Sequence, residues 1–247
     1  MNDALLDWYA ANRRELPWRR TTDPYAILVS EVMLQQTQVA RVIPRYAAWL
    51  ERWPTAAALA AAPVADVLSA WVGLGYNRRA LRLREACAVV SAHGWPDDLT
   101  ELPGVGPYTA AAIGAFAFGR DTVALDTNVR RLFARLGREL APRPGEGPLF
   151  NQATIELGAL VCRARAPRCD ACPFEPACPW EGDAPCGRAP AVRFEDTDRW
   201  VRGRVVAALA AGEELPPIAA ERLERALDGL VHDGLVERDG PVVRLPA

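Results

Sequence analysis

Four cysteines lie close together about two thirds of the way along the chain, with the spacing C-x6-C-x2-C-x5-C: Cys162, Cys169, Cys172 and Cys178. Four thiolates within one short stretch can surround a single metal centre, so this segment is expected to fold into a compact loop. Iron–sulfur clusters and structural zinc ions both use such ligand sets, and the spacing leaves the two open. Disulfides are disfavoured, because the N-terminal residues show no apolar stretch typical of a signal peptide.

Size and charge set broad limits on the protein. A chain of 247 residues is long enough to bury a substantial core and to form two domains. Charged residues interrupt every apolar run before it reaches the length of a membrane span, so we expect a cytoplasmic protein with no membrane attachment. The net charge of −2 argues against a nucleic-acid binder whose whole surface is basic. Arginines are concentrated between Arg120 and Arg168, a pattern that most often marks a solvated helix face.

The chain has no lysine, and all 29 of its basic residues are arginines. Genomic base composition is an ordinary cause of such a bias. Its chemical consequence is firm, because no side chain of this sequence carries an amine that could form a Schiff base.

Apolar residues recur at helical spacing through most of the chain, as in Thr55–Ala62, Ala80–Ser91 and Ala110–Phe118. No long segment alternates in the manner of a strand, so the pattern predicts an all-α body that ends near Cys186. The residues that follow lack periodicity and are typical of a linker.

The C-terminal residues have a pattern of their own. They predict two further helices, Asp198–Ala211 and Ala219–Asp233, and then two short strands about an Asp239-Gly240 turn. Helices followed by a small hairpin are typical of a winged-helix-like module.

The segment Leu102-Pro103-Gly104-Val105-Gly106-Pro107 has the form of a helix-hairpin-helix turn. Gly104 and Gly106 permit a tight turn with positive φ, and Pro107 suits the first position of the helix that follows. Such a turn leaves backbone N–H groups of the second helix without partners, which suits a phosphate of nucleic acid. An ordinary connection between two helices is the alternative for so short a motif.

One carboxyl group, that of Glu31, lies on the apolar face of a predicted helix. This helix begins with Asp23 as its cap and Pro24 at the first position, and Ile27 and Leu28 lie one turn before Glu31. Burial on that face would raise the pKa of Glu31, as a general acid near neutral pH requires. For an isolated glutamate, pairing with a buried arginine is the ordinary alternative.

A second carboxyl group, that of Asp126, follows the apolar run 122–125 and precedes a basic helix. Aspartate in that position is most often a helix N-cap, and the helix N-terminus also favours its ionised form. One carboxyl group kept protonated beside one kept ionised would separate an acid from an anion within a single site.

In their order along the chain, these motifs resemble the A/G-specific adenine DNA glycosylase (MutY) branch of the helix-hairpin-helix DNA glycosylase superfamily. The resemblance extends from Leu16 to Cys178. It also includes the motifs Leu16-Pro17-Trp18-Arg19, Ser30 to Thr37, Gly73-Leu74-Gly75-Tyr76, Asn128-Val129 and Asn151-Gln152-Ala153.

The resemblance implies an all-α fold of two lobes with DNA bound across their cleft. One lobe is a six-helix barrel that holds the hairpin (residues 21–130), and the other is an iron–sulfur cluster lobe (1–20 and 131–186). A linker (187–196) and the small C-terminal module (197–247) follow. The resemblance also implies that the four cysteines hold a [4Fe-4S] cluster.

The function implied is that of a monofunctional glycosylase of base excision repair. Such an enzyme acts as a monomer on double-stranded DNA at the nucleoid, where it flips out adenine mispaired with 8-oxoguanine or guanine and removes it hydrolytically. Glu31 matches the residue that protonates adenine, and Asp126 matches the carboxylate that stabilises the sugar cation. Tyr108 and Asn128 match their polar partners in the active site.

Other positions match residues that touch DNA. Trp18, Arg19 and Glu156 match positions lining the adenine pocket. The residues expected to contact the DNA strands are Gln35, Gln36, Thr37, Tyr76 and the hairpin residues Gly104, Val105 and Gly106.

The sequence departs from the family in its C-terminal region, where the pattern does not fit the usual Nudix-like domain. Two related activities are alternatives, that of the endonuclease III branch and that of a thymine glycosylase acting on T:G mispairs. The former has lysine where this chain has Tyr108, and the context of Glu31 favours adenine over thymine. A DNA-binding protein that carries a cluster but has no activity would lack Glu31 or Asp126, and both are present.

Overall fold

The computed structural model of the protein describes residues 1–182 and 192–247. Residues 187–191 of the predicted linker, and Cys186 before it, lie outside the described residues. The described residues form eleven α-helices and one antiparallel pair of strands. In chain order these elements are α1 Asn2–Asn12, α2 Pro24–Leu34, α3 Val39–Arg52, α4 Ala56–Ala60, α5 Val64–Trp71, α6 Arg78–His93, α7 Pro107–Phe118, α8 Thr127–Leu136, α9 Gly147–Leu160, α10 Asp198–Ala211, α11 Ala220–His232, β1 Glu237–Asp239 and β2 Val242–Arg244.

The ends of the helices follow the signals in the sequence. Helix α2 begins at Pro24, and the Asp23 carboxylate accepts a hydrogen bond from the Tyr25 N–H at 3.2 Å. Helix α7 begins at Pro107, as predicted. The two C-terminal helices and the hairpin are also confirmed, with Asp239 opposite Val242 across the turn.

The helices belong to two compact units. The first unit comprises Met1–Glu31, Asp97–Glu101 and Val105–Pro185. In this unit α1, α7 and α8 all pack against α9. Its core is formed by the buried side chains of these helices, among them Leu5, Tyr9, Leu132, Phe133, Phe150 and Leu157.

The second unit comprises Val32–Pro96, Leu102–Gly104 and Cys186–Ala247. Helices α4 and α5 pack against α6, and α10 packs against both α5 and α11. The Trp49 ring meets the rings of Trp53 and Trp71 edge-on, at 4.7 and 5.4 Å between centroids. Because α10 rests on α5, the C-terminal helices are part of the core of this unit.

None of the helices in the described part of the chain is long and apolar enough to cross a lipid bilayer.

Candidate active site

Glu31 is a buried carboxyl group in the first unit. It lies in α2, a helix whose residues from Tyr25 to Met33 are all buried, and only 5% of its surface is exposed. Burial is the main reason why the pKa of Glu31 rises from 4.5 to about 7. A hydrogen bond with Tyr108 lowers this pKa, and the negative charge of Asp126 raises it. The interacting side chain found by the structure is thus a tyrosine rather than the arginine that an isolated buried glutamate would favour.

Tyr108 links the two carboxyl groups electrostatically. It is the second residue of α7, directly after the glycine turn. Burial raises the pKa of Tyr108 well above its usual value, and the charges of Glu31 and Asp126 raise it further. The phenol therefore stays neutral at physiological pH and serves as a hydrogen-bond donor.

Asp126 is the N-cap of α8, as its position in the sequence predicts. One carboxylate oxygen accepts a hydrogen bond from the Val129 N–H at 2.7 Å, and the other accepts one from the Asn128 amide at 2.8 Å. The segment before it is held by the fully buried Asn151, which accepts from the Ala124 N–H at 2.7 Å and donates to the Thr122 carbonyl at 2.7 Å. Both Asp126 oxygens are thereby fixed in direction.

Arg131 forms a second layer behind Asn128. Its guanidinium donates to the Asn128 side-chain oxygen, to the Gly158 carbonyl and to the Cys162 carbonyl, each at 2.8 Å. Sequence reasoning did not single out this residue, although its position three residues after Asn128 on one helix was a usable signal. The side chains of Asp126, Asn128 and Arg131 form one hydrogen-bonded series that ends at the backbone of the cysteine loop.

The predicted pocket residues Arg19 and Glu156 meet in the first unit. Glu156 has a fully buried side chain that accepts hydrogen bonds from Arg19 and, in a bidentate arrangement, from Arg14 at 2.6 and 2.8 Å. Burial alone would raise the pKa of Glu156, but the bonds from Arg14 and Arg19 outweigh it and lower the pKa to about 2. Trp18 lies beside Arg19 in the short 3-10 helix Pro17–Arg20.

Arg14 was missed by the sequence reasoning, because nothing in its local pattern marks it. Its contact with Glu156 shows that this carboxylate is largely occupied by arginine donors. Glu156 thus joins the guanidinium groups of Arg14 and Arg19.

The residues that are predicted to contact the DNA strands lie on two tight turns in the second unit. Gln36 and Tyr76 have left-handed backbones, with φ of 54° and 48°, a conformation that is uncommon in non-glycine residues and often marks functional loops. Arg79 joins the turns. Its two terminal nitrogens donate to the carbonyls of Val32, Met33, Gln35, Leu74 and Gly75 and to the Thr37 hydroxyl, at 2.6 to 3.1 Å.

Arg79 is a partly buried structural residue. Burial, together with the positive charge of Arg199, lowers the pKa of its guanidinium to about 10. The local sequence does not indicate this role, because the partners of Arg79 lie 4 to 47 residues away along the chain and meet it only in the packed structure.

The glycine turn has the predicted local geometry at Gly104, where φ is +77° and a Cβ would lie 2.7 Å from that of Arg82. Val105 is buried, whereas Gly106 is exposed as the N-cap of α7. The N–H groups of the first turn of α7 begin at this exposed end.

The four predicted cysteine ligands line one cavity of about 130 Å³ in the first unit. Arg135 of α8 also lines this cavity. It donates to the Cys162 sulfur at 3.5 Å and to the Arg163 carbonyl at 2.8 Å, and its guanidinium lies 4.2 Å from the centre of the Trp180 ring. No group of three or more His, Cys, Asp or Glu among residues 1–182 and 192–247 converges as the ligands of a single ion do.

Comparisons with known proteins give the family of the chain. Residues 29–146 match the family described as "HhH-GPD superfamily base excision DNA repair protein". The adenine DNA glycosylase of Mycolicibacterium smegmatis is 43% identical in an alignment that covers 95% of this chain and 92% of the relative. The chain belongs to the adenine DNA glycosylase family. The Mycobacterium tuberculosis member is 44% identical over 95% of this chain and 89% of its own length.

More distant members and solved structures agree with this assignment. The human adenine DNA glycosylase is 42% identical over 71% of this chain, which corresponds to 38% of the human protein. A thermostable thymine-DNA glycosylase has a TM-score of 0.67 at 27% identity, covering 72% of this chain and 93% of its own. An endonuclease III trapped covalently on DNA has a TM-score of 0.62 at 25% identity, covering 72% and 92%. The adenine DNA glycosylase family therefore shares its helical fold with glycosylases of other base preference.

Proposed function

We propose that this protein hydrolyses the N-glycosidic bond of adenine mispaired with 8-oxoguanine or guanine in double-stranded DNA. The observation that carries the proposal is the pair of carboxyl groups in the first unit. Glu31 has a pKa of about 7 and so retains its proton in much of the protein at neutral pH, while the Asp126 carboxylate accepts two hydrogen bonds. The relatives named adenine DNA glycosylase support adenine as the base.

The two groups divide the work of the reaction. The protonated Glu31 transfers its proton to N7 of the adenine, so that the electron pair of the breaking C1′–N9 bond moves into a neutral leaving group. The Asp126 carboxylate stabilises the positive charge that develops on the sugar. Water then adds to C1′ and gives up a proton to the Glu31 carboxylate, which restores the acid. Tyr108, neutral and hydrogen-bonded to Glu31, keeps that side chain in place.

A single-turnover panel tests this function. The intact protein is incubated with duplexes that contain A:8-oxoguanine, A:G, T:G or thymine glycol, and each product is read with and without alkali. Excision of adenine from the first two duplexes is expected. Excision confined to the T:G duplex would instead assign the activity of a thymine glycosylase, whose fold the chain shares.

We further propose that the cysteine loop holds a [4Fe-4S] cluster through Cys162, Cys169, Cys172 and Cys178. Ligands of one zinc ion lie about 2.3 Å from it and leave little space between them. The cavity of about 130 Å³ that the four cysteines line together with neighbouring side chains can hold a larger, polyatomic group, and four thiolates are the usual donor set of an iron–sulfur cluster. When bound, the cluster would cross-link the loop and so fix the Cys162 carbonyl that anchors Arg131.

Elemental analysis of anaerobically purified protein tests the cluster. Four iron and four sulfide per chain are expected, and zinc without iron would contradict the proposal. The Cys169→Ser variant should lose thermal stability and affinity for duplex DNA together, because its loop carries Arg163, Arg165 and Arg168.

The turns of the second unit are proposed to contact the DNA strands. Gln35, Gln36 and Thr37 on one turn and Tyr76 on the other would meet the extruded nucleotide's neighbours and the opposite base. The exposed N-terminus of α7 after Gly106 would bind a phosphate. We propose that the protein does this as a cytoplasmic, nucleoid-associated monomer.

A further inference from the structure

A contact within the second unit joins the C-terminal helices to the turn that carries Tyr76. Arg199 lies in the first turn of α10, and its guanidinium carbon is 3.6 Å from the centre of the Tyr76 ring. The same guanidinium donates a hydrogen bond to the Tyr76 hydroxyl at 2.6 Å. Its other terminal nitrogen lies against Gly75, where a Cβ would be only 3.4 Å away. The ring is thus held both on one face and at its polar end.

Helix α10 presents Arg199 from a fixed position. Its apolar side is formed by Val201, Val205 and Val206, which are at most 1% exposed. The Asp233 carboxylate, which directly follows α11, forms ion pairs with Arg202 of α10 and with Arg78 at the start of α6. The helix that carries Arg199 is therefore fixed by packing, and the exposed Arg199 side chain extends from it to Tyr76.

The backbone of Tyr76 is fixed separately from its side chain. The left-handed turn is held by Arg79, which binds the carbonyls of Leu74 and Gly75, and by the Trp71 indole, which donates to the Gly75 carbonyl at 3.1 Å. The Tyr76 residue nevertheless remains 38% exposed. Arg79 also lies over the ring, but at 5.7 Å from its centre, whereas Arg199 lies at 3.6 Å and in addition binds the hydroxyl. Arg199 therefore makes the closer contact with the ring, while enough of the ring stays accessible to meet another molecule.

We propose that Arg199 is a positioning residue for Tyr76, through which the C-terminal helices contribute to recognition of the mispair. This inference rests on the proposed function, in which Tyr76 enters the duplex. A ring that is already oriented loses less conformational freedom when it inserts between bases. Arg199 reads no base itself and acts only through Tyr76. Its effect should therefore appear wherever Tyr76 inserts, as a change in the preference for mispaired over paired duplexes.

The test measures Kd for two duplexes, one with A:8-oxoguanine and one with A:T, using the inactive Glu31→Gln background. Arg199→Ala should lower the ratio of the two affinities by roughly fivefold, the loss expected for a stacked cation with a hydrogen bond. Arg199→Lys should not restore the ratio, because an ammonium keeps the charge but lacks the planar stacking surface.

Arg204→Ala is the matched control. Arg204 is an exposed arginine on the same helix, 5.9 Å from the Trp200 ring. Its removal takes away the same charge without touching Tyr76, so any change should be equal for both duplexes. If Arg199→Ala changed the affinity for both duplexes equally, or if Arg199→Lys recovered the affinity ratio, Arg199 would act only as a non-specific charge. Either result would overturn the proposal.

Coupling to Tyr76 separates positioning from general packing. In a Tyr76→Ala background, Arg199→Ala should cause no further loss of the affinity ratio, because the ring on which it acts is gone. Additive losses would contradict the inference even if adenine excision by the wild-type protein is normal. Failure of the wild-type protein to excise adenine would overturn the proposed function instead, and the two failures are therefore distinguishable.

Discussion

At the scale of single residues, the two carboxyl groups of the proposed active site differ because their surroundings differ. Glu31 lies in a helix that is buried on all sides, and its hydrogen-bonding partner is the hydroxyl of Tyr108. Asp126 lies at a helix N-terminus and accepts hydrogen bonds from a backbone N–H and an amide. Burial favours the protonated form of Glu31, and the two donors fix the direction of the Asp126 carboxylate.

The pH dependence of excision should report Glu31. Because its pKa is about 7, the acid is protonated below this pH and is lost above it. The single-turnover rate should therefore fall by roughly tenfold per pH unit above pH 7. Glu31→Gln should abolish excision at every pH while duplex affinity is retained. A rate that is constant from pH 6 to 9 would contradict the role of Glu31 as the acid.

The same pKa has a consequence for stability. The pKa of Glu31 is raised from 4.5 to about 7 on folding. Its contribution to the stability of the folded state is therefore fully present below pH 4.5 and is lost as the pH rises through 7. Glu31→Gln should thus be similar to wild type in its free energy of unfolding at pH 4.5 and more stable at pH 8, by up to about 3 kcal/mol. Urea unfolding at the two pH values measures the difference, and a variant less stable at pH 8 would speak against a costly buried charge.

Asp126→Asn should separate charge from capping. Asparagine is as good an N-cap as aspartate, so α8 is expected to remain intact. Loss of the anion beside the developing sugar cation should lower the single-turnover rate by roughly 10²- to 10³-fold. Thermal unfolding serves as the control for folding. Near wild-type excision by a folded variant would remove Asp126 from the mechanism.

At the scale of elements, the position of the site depends on how closely α8 approaches α9. Gly158 of α9 faces Asn128, and a Cβ there would lie 2.9 Å from the Asn128 Cβ. Its carbonyl also accepts from Arg131. The glycine is needed for this close approach and not for an unusual backbone angle.

Gly158→Ala should therefore impair excision even though alanine favours a helix by about 1 kcal/mol over glycine. The added methyl group must push α8 and α9 apart and displace Asn128 from Asp126. Gly203→Ala in α10 is the control, since no atom of another element lies within 4 Å of a Cβ at that position. The control should be neutral or slightly stabilising in thermal unfolding. Equal single-turnover rates for the two variants would show that the approach of α8 to α9 does not position the site.

At the scale of the whole molecule, the absence of lysine limits the chemistry. Cleavage of the strand by β-elimination requires an amine that forms an imine with the abasic sugar, and this sequence supplies only its α-amino group. The product should remain an intact abasic strand until alkali or heat is applied. Borohydride should trap little covalent adduct. Trapping in substantial yield, or strand cleavage at neutral pH, would contradict a purely hydrolytic reaction.

Local chemistry explains what the sequence alone determined. Caps and helix-initiating prolines act on their nearest neighbours, so the starts of α2 and α7 could be predicted from adjacent residues, and the helical spacing of apolar residues predicted the two C-terminal helices. The four cysteines were likewise visible from their short spacing, and Glu31 and Asp126 from their positions next to apolar residues and a helix start.

Only the tertiary structure decided which residues support these groups. Arg79 reaches carbonyls of two separate turns, Arg14 meets Glu156 across 142 residues, and Arg199 covers a ring 123 residues before it. An arginine side chain is long and its donors are satisfied by any well-placed oxygen, so its own sequence neighbourhood carries no record of its partner. Burial is equally a property of the packed chain, and it is burial that gives Glu31 a pKa near neutrality.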